Sequence, residues 1–152
     1  MTGISVWESL HTPNTDDLSS VRSRSFGQGS DRRSALILSP SPALRDSLQV
    51  LLGSLSQLGQ IYQAGELQQA LASQIPSSPD LVLYDMDTRR EETWITLGHL
   101  KTCWPRCWCL ALVEDDAVSP QAHAAGADSV LLKGIRADHL LDTLRKRFGE
   151  TE

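Results

Sequence analysis

From Ser34 onward, apolar positions follow two periods in alternation, one suited to strands and one to helices. SALILS (34–39) is a short apolar run stopped by Pro40 and Pro42, which predicts a buried strand. PALRDSLQVLLGSL (42–55) places Leu44, Leu48, Leu51, Leu52 and Leu55 at helical spacing, with Pro42 suited to a first turn. The pairing repeats in QIYQA (60–64) with GELQQALASQI (65–75), and in DLVLYDM (80–86) with a helix over 91–102. It repeats again in CWCLALV (107–113) with a short helix over 118–125, and in DSVLL (128–132) with ADHLLDTLRKRF (137–148). Gly126 suits the position just past the fourth helix, and the cations ending the last helix lie where its dipole favours them. Short strands apolar on both faces, alternating with helices, predict a five-stranded parallel sheet covered on both sides. The fold expected is a doubly wound three-layer α/β sandwich.

Residues 1–33 break this pattern. They are rich in Ser and Gly, as in SSVRSRSFGQGSDRR, and their acids and arginines cancel. Such a stretch buries too little apolar surface to offset the entropy of ordering it. A disordered arm is therefore expected over 1–33, a domain over 34–149 and a tail over 150–152. ISVWESL (4–10) is a short amphipathic patch within the arm.

Charge narrows the function. The chain has 14 Lys+Arg against 19 Asp+Glu, a net charge of -5, all of it carried after residue 33. That balance argues against direct nucleic-acid binding or an anionic membrane surface, both of which need clustered positive charge. RKR (145–147) is too small a basic patch to reverse the argument. No apolar run approaches the roughly 20 residues of a membrane helix. MTGISVWESLHTPNTDD lacks the basic start and apolar core of a secretory signal. Together with Cys103, Cys107 and Cys109, this predicts a cytoplasmic protein with reduced thiols. CWPRCWC has neither paired C-x-x-C knuckles nor a suitably placed His, so zinc is not expected. Cys107 and Cys109 should share one face of their strand, with Trp108 on the other. Trp94, Trp104 and Trp108 either fill the helix–sheet layer or, if exposed, anchor a partner.

In a sheet of this kind, sites form beyond the carboxyl ends of the strands. Those ends present Ser39, Pro40 and Ser41, then Asp85 and Asp87, then Val113 to Asp116, and finally Lys133. Asp85 and Lys133 each stand at the lip of a buried strand. A carboxylate at that depth needs a partner, and Lys133 is the nearby cation the pattern supplies. Asp85 and Asp87 are the candidates for a cation site, with Glu114, Asp115 and Asp116 the alternative contributors or simply a solvated acidic loop.

Residues 34–148 resemble the receiver domain of two-component response regulators. PDLVLYDMD (79–87) resembles the third-strand phosphoacceptor motif, with Asp85 at the phosphorylated position. AAGADSVLLKG (124–134) resembles the segment that carries the receiver lysine, matched by Lys133. The resemblance implies a flavodoxin-like topology, with Asp85 as phosphoacceptor and Lys133 as phosphoryl clamp. It also implies signalling proteins as partners, and a homodimer through the fourth-helix, fifth-strand and fifth-helix face.

The departures from the family pattern bear on function. The acid pair that holds Mg²⁺ in receivers is matched by Ser39 and Pro40, which are poor ligands for a hard cation. Ala-Leu-Val (111–113) ends the fourth strand, so the hydroxyl that engages the phosphoryl group is absent, with Val113 at its place. Val130 stands where receivers carry an aromatic switch residue, and Gly134 replaces the proline that usually follows the lysine. Phosphoryl transfer depends on metal positioning and charge neutralisation. The expectation is a degenerate receiver, or pseudo-receiver. It is not an enzyme, needs no cofactor, and acts through protein contacts whose state does not depend on phosphate. The competing expectations are a single-domain response regulator phosphorylated on Asp85 with Mg²⁺, and the receiver part of a transcriptional regulator. DMDTR (85–89) also resembles the Asp-x-Asp of haloacid-dehalogenase-type phosphatases, but there the motif lies on the first strand of a longer chain.

Overall fold

A computed structural model describes residues 32–73 and 78–149. The expected arm up to residue 31, residues 74–77 with the last two positions of the second predicted helix, and the tail lie outside the described residues. The elements are β1 (Arg33–Leu38), α1 (Pro42–Leu52), β2 (Leu58–Ala64), α2 (Leu67–Ala72), β3 (Leu81–Asp85), α3 (Glu91–Cys103), β4 (Trp108–Val113), α4 (Ser119–Ala125), β5 (Ser129–Leu132) and α5 (Ala137–Phe148). A short 3₁₀ turn, Asp116–Val118, leads into α4. All strands are parallel in the order β2-β1-β3-β4-β5, the doubly wound flavodoxin-like arrangement.

Each strand feeds both layers, because alternate side chains point to opposite faces. One layer joins Leu36, Leu38, Val82, Tyr84, Cys109 and Ala111 to Leu67 and Ala70 of α2, Leu97 and Leu100 of α3, and Ala122 of α4. The other joins Ala35, Ile37, Leu81, Leu83, Leu110 and Leu112 to Leu48 and Leu52 of α1 and Leu140 and Leu144 of α5. The central strands are buried on both faces, which is why they read as unbroken apolar runs.

Local signals set most boundaries. Ser41 caps α1, its side chain accepting from the Leu44 amide at 3.2 Å, with Pro42 in the first turn. α1 ends at Leu52 rather than at the predicted Leu55. Gly53 and Ser54 are weak helix formers, and the Ser54 hydroxyl takes the Leu51 carbonyl at 2.7 Å. Leu55 still reaches the core, but through the turn that follows. β2 begins at Leu58, earlier than predicted, because a bulge opposite β1 admits one additional residue. Gly126 ends α4 with φ 130, a conformation open to glycine.

The cysteines and tryptophans also have definite places. Cys107 and Cys109 are buried in the α2–α3–α4 layer, and Cys103 is exposed. Trp108 packs on the opposite layer, edge-on to Phe148 at 6.1 Å, with the Arg147 guanidinium 5.6 Å from its ring. Trp94 and Trp104 pack against the first layer, so all three half-buried rings fill the space between helix and sheet.

Candidate functional site

The site is built where β1, β3, β4 and β5 end side by side. Ser39 follows β1 and is fully buried, its amide held by the Ala64 carbonyl of β2 at 3.0 Å. Asp85 is the last residue of β3, with a side chain 10% exposed. Lys133 follows β5, and its amide donates to the Val113 carbonyl at 2.7 Å, so strand pairing fixes its backbone. The three side chains then meet. The Ser39 hydroxyl donates to Asp85 Oδ2 at 2.7 Å, and Lys133 Nζ lies 2.6 Å from Asp85 Oδ1. That ion pair is the only polar contact of Oδ1 among the described residues, and it lacks hydrogen-bond geometry.

Lys133 has a second anion. Glu114 Oε2 lies 3.1 Å from Nζ, and Glu114 Oε1 is 3.5 Å from the Thr88 hydroxyl. Burial opposes the charged ammonium, but its contacts with Asp85 and Glu114 outweigh that, and the Lys133 pKa is raised. Asp87 lines the same cleft as this group but has a partner of its own. Arg89 grips it with two hydrogen bonds, at 3.0 and 3.2 Å, and holds its pKa below the usual aspartate value. Around these residues lies a cleft of about 380 Å³, whose walls include Pro40, Gly65, Tyr84, Thr93 and Arg90.

The sequence expectations divide here. Asp85, Lys133 and Ser39 come together, while Val113 is buried and Val130 packs half-buried against the first layer. Lys133 is not alone, since Arg90 also lines the cleft. The acidic loop is only partly a solvated face. Glu114 reaches Lys133, Asp115 caps the 3₁₀ turn through the Ala117 amide at 2.9 Å, and Asp116 accepts from Ser119 at 3.1 Å. Sequence reasoning missed Arg45, whose guanidinium holds the Ser39 carbonyl at 2.6 Å while its Nε donates to Gln63 at 3.2 Å. Nothing in the spacing of Arg45 signals that contact, because it joins α1, β2 and the end of β1.

The donor set does not fit the Mg²⁺ that the receiver resemblance implies. The Ser39 hydroxyl is neutral, donating to Asp85 and accepting from the Ser41 amide at 3.1 Å, Pro40 offers no side-chain ligand, Asp85 Oδ1 faces an ammonium and Asp87 is held by Arg89. Among the described residues no three His, Cys, Asp or Glu side chains are grouped to hold a metal ion. As it stands, the arrangement neutralises a buried carboxylate with one hydroxyl and one ammonium.

This sheet order, with helices on both faces, is the fold of response regulator receiver domains, and comparison with solved structures agrees on that fold. A response regulator from Thermotoga maritima is 20% identical, with a TM-score of 0.67 over 78% of this chain and 99% of that one. A receiver domain protein from Methanospirillum hungatei is also 20% identical, with a TM-score of 0.65 over 78% and 95%. A Burkholderia pseudomallei protein described as related to pilus assembly is 17% identical, with a TM-score of 0.67 over 80% and 93%. No protein-family model and no curated protein matches the sequence.

Proposed function

We propose that the chain is a pseudo-receiver, a signalling or regulatory module that binds other signalling proteins in a state not set by phosphorylation. The observation that carries this reading is the engagement of Asp85. One oxygen accepts from Ser39 and the other faces Lys133, while the positions that would hold a metal are a buried serine and a proline. A carboxylate attacks phosphorus through a free oxygen, with the incoming charge neutralised by metal and cations. Here the main cation is already shared between two carboxylates. On this reading the domain is not an enzyme, and Asp85, Ser39 and Lys133 serve the fold at the strand ends.

Incubation with acetyl phosphate and Mg²⁺, followed by intact mass measurement, tests this. The expected result is no added phosphoryl mass. A phosphoryl adduct that disappears in Asp85→Ala would instead establish a phosphate-accepting response regulator with Asp85 as nucleophile and Lys133 as clamp.

A further inference from the structure

The two edges of the sheet differ in chemistry. β5 is short, Ser129–Leu132, and is bounded by Asp128 and Lys133, charges of the kind that keep an edge from pairing with another chain. β2 runs from Leu58 to Ala64 at the opposite edge, where β1 is its sole partner in the sheet among the described residues. Its bulge lies at the start, between the Arg33–Leu58 and Ala35–Ile61 pairs, and leaves Ile61–Ala64 in regular register. The strand itself contains neither a charged residue nor a proline. From Ser47 through Gly65 there is no Asp, Glu, Lys, Arg or His, in a sequence that is 22% charged.

We infer that β2 is a self-association edge, and that its occupant is a second copy of this chain paired antiparallel about a two-fold axis at Tyr62. Two-fold pairing sets Tyr62 against its own copy, with Ile61 and Gln63 diagonal to theirs, so a charge at the centre of the strand would meet a like charge. An edge meant for a different partner is under no such constraint. The uncharged centre Ile61-Tyr62-Gln63 meets that condition. A two-fold at Tyr62 keeps the inward and outward alternation of side chains and stacks Tyr62 against its counterpart. It also brings the extended residue Glu66 opposite Leu58 of the second copy, beside Gly59. Arg32 lies there: a Cβ built on Gly59 would be 3.1 Å from that of Arg32. Glu66 and Arg32 are both exposed, so each end of the seam closes on an opposite-charge pair. α2, the helix packed beside β2, adds Leu71, which is 49% exposed.

Sedimentation equilibrium on the full chain, from micromolar to millimolar concentration, tests the inference. The wild type should form a concentration-dependent dimer. Tyr62→Lys and Tyr62→Glu should each weaken it about tenfold or more, and an equimolar mixture of the two should restore it. Because Tyr62 packs half-buried, Glu66→Arg serves as a surface variant: it should weaken the dimer with an unchanged thermal melt, and Arg32→Glu in the same chain should rescue it. Leu132→Lys, on the edge favoured by the receiver resemblance, should leave the dimer intact. A wild type that stays monomeric overturns the inference, including one whose β2 amides are protected by another segment of the same chain. So does a dimer indifferent to Tyr62 and Glu66, or one abolished by Leu132→Lys. None of these outcomes depends on whether Asp85 accepts phosphate.

Discussion

Replacing Lys133 by Met removes the ammonium 2.6 Å from Asp85 and leaves that carboxylate, 10% exposed, with only the Ser39 hydroxyl. Breaking a fully buried pair from one side costs about 3–5 kcal/mol. Two features reduce that here. The Lys133 side chain is 27% exposed, and Ser39 still donates at 2.7 Å. A cost of about 2 kcal/mol at neutral pH follows, or roughly 8 °C in Tm for a domain of this size. Asp85→Asn keeps an acceptor for Ser39 and leaves Lys133 with Glu114 at 3.1 Å, so it should cost only about 1 kcal/mol. The double variant removes both charges at nearly constant volume and should also cost about 1 kcal/mol, which gives a coupling of about 2 kcal/mol. Urea denaturation of the four proteins measures each value, with an unchanged slope confirming a shared unfolding reaction. Losses that simply add in the double variant would refute the pairing as the reason for these two residues.

Alkaline stability should fall in two stages. Burial pushes the Cys107 thiol up to about 11 and the Cys109 thiol up to about 12, from an ordinary value of 9.0. The unfolded chain therefore loses these protons first, and stability should drop above pH 9 by up to about 1.4 kcal/mol per pH unit for each thiol, a slope that Cys107→Ala and Cys109→Ala should flatten. Lys133 has a raised pKa, so the stability it contributes is fully present below the ordinary lysine value of 10.5 and is lost as pH rises through its folded value; the Asp85→Asn/Lys133→Met variant should lack that later loss. A disulfide-exchange reagent should label one thiol rapidly in the folded protein, exposed Cys103, and all three only after unfolding. Gly126→Ala should cost about 2 kcal/mol by thermal melt, since φ is 130 and a Cβ there would lie 2.8 Å from Lys101 Cγ.

Much of the site was legible because its residues stand at points where a local pattern changes. Asp85 ends a buried apolar strand with a charge, Lys133 follows a half-buried one, and the strand ends of a parallel sheet converge. Glu114 was harder to read. It opens a run of three acids, and only the paths of the loops after β4 and β5 turn it toward Lys133 rather than toward water. Arg45 carried no signal at all, because its partners, the Ser39 carbonyl and Gln63, come from separate strands. The tryptophans were equally ambiguous in sequence. Whether a ring on α3 or β4 fills a layer or stands exposed depends on how closely the neighbouring helices approach.

The sequence by itself determined the element types, their alternation and the parallel sheet. Those follow from the spacing of apolar residues over a few turns or a few strand positions, a property local to each segment. It also determined which strand ends carry charge, and that the second strand is free of it. Only the tertiary structure decided which oxygen of Asp85 each partner takes, that Glu114 shares Lys133, and that Asp87 belongs to Arg89. It alone also placed the uncharged strand at an edge. Such contacts join residues far apart in the chain, and their geometry is set by side-chain packing at ångström scale, which no periodicity records.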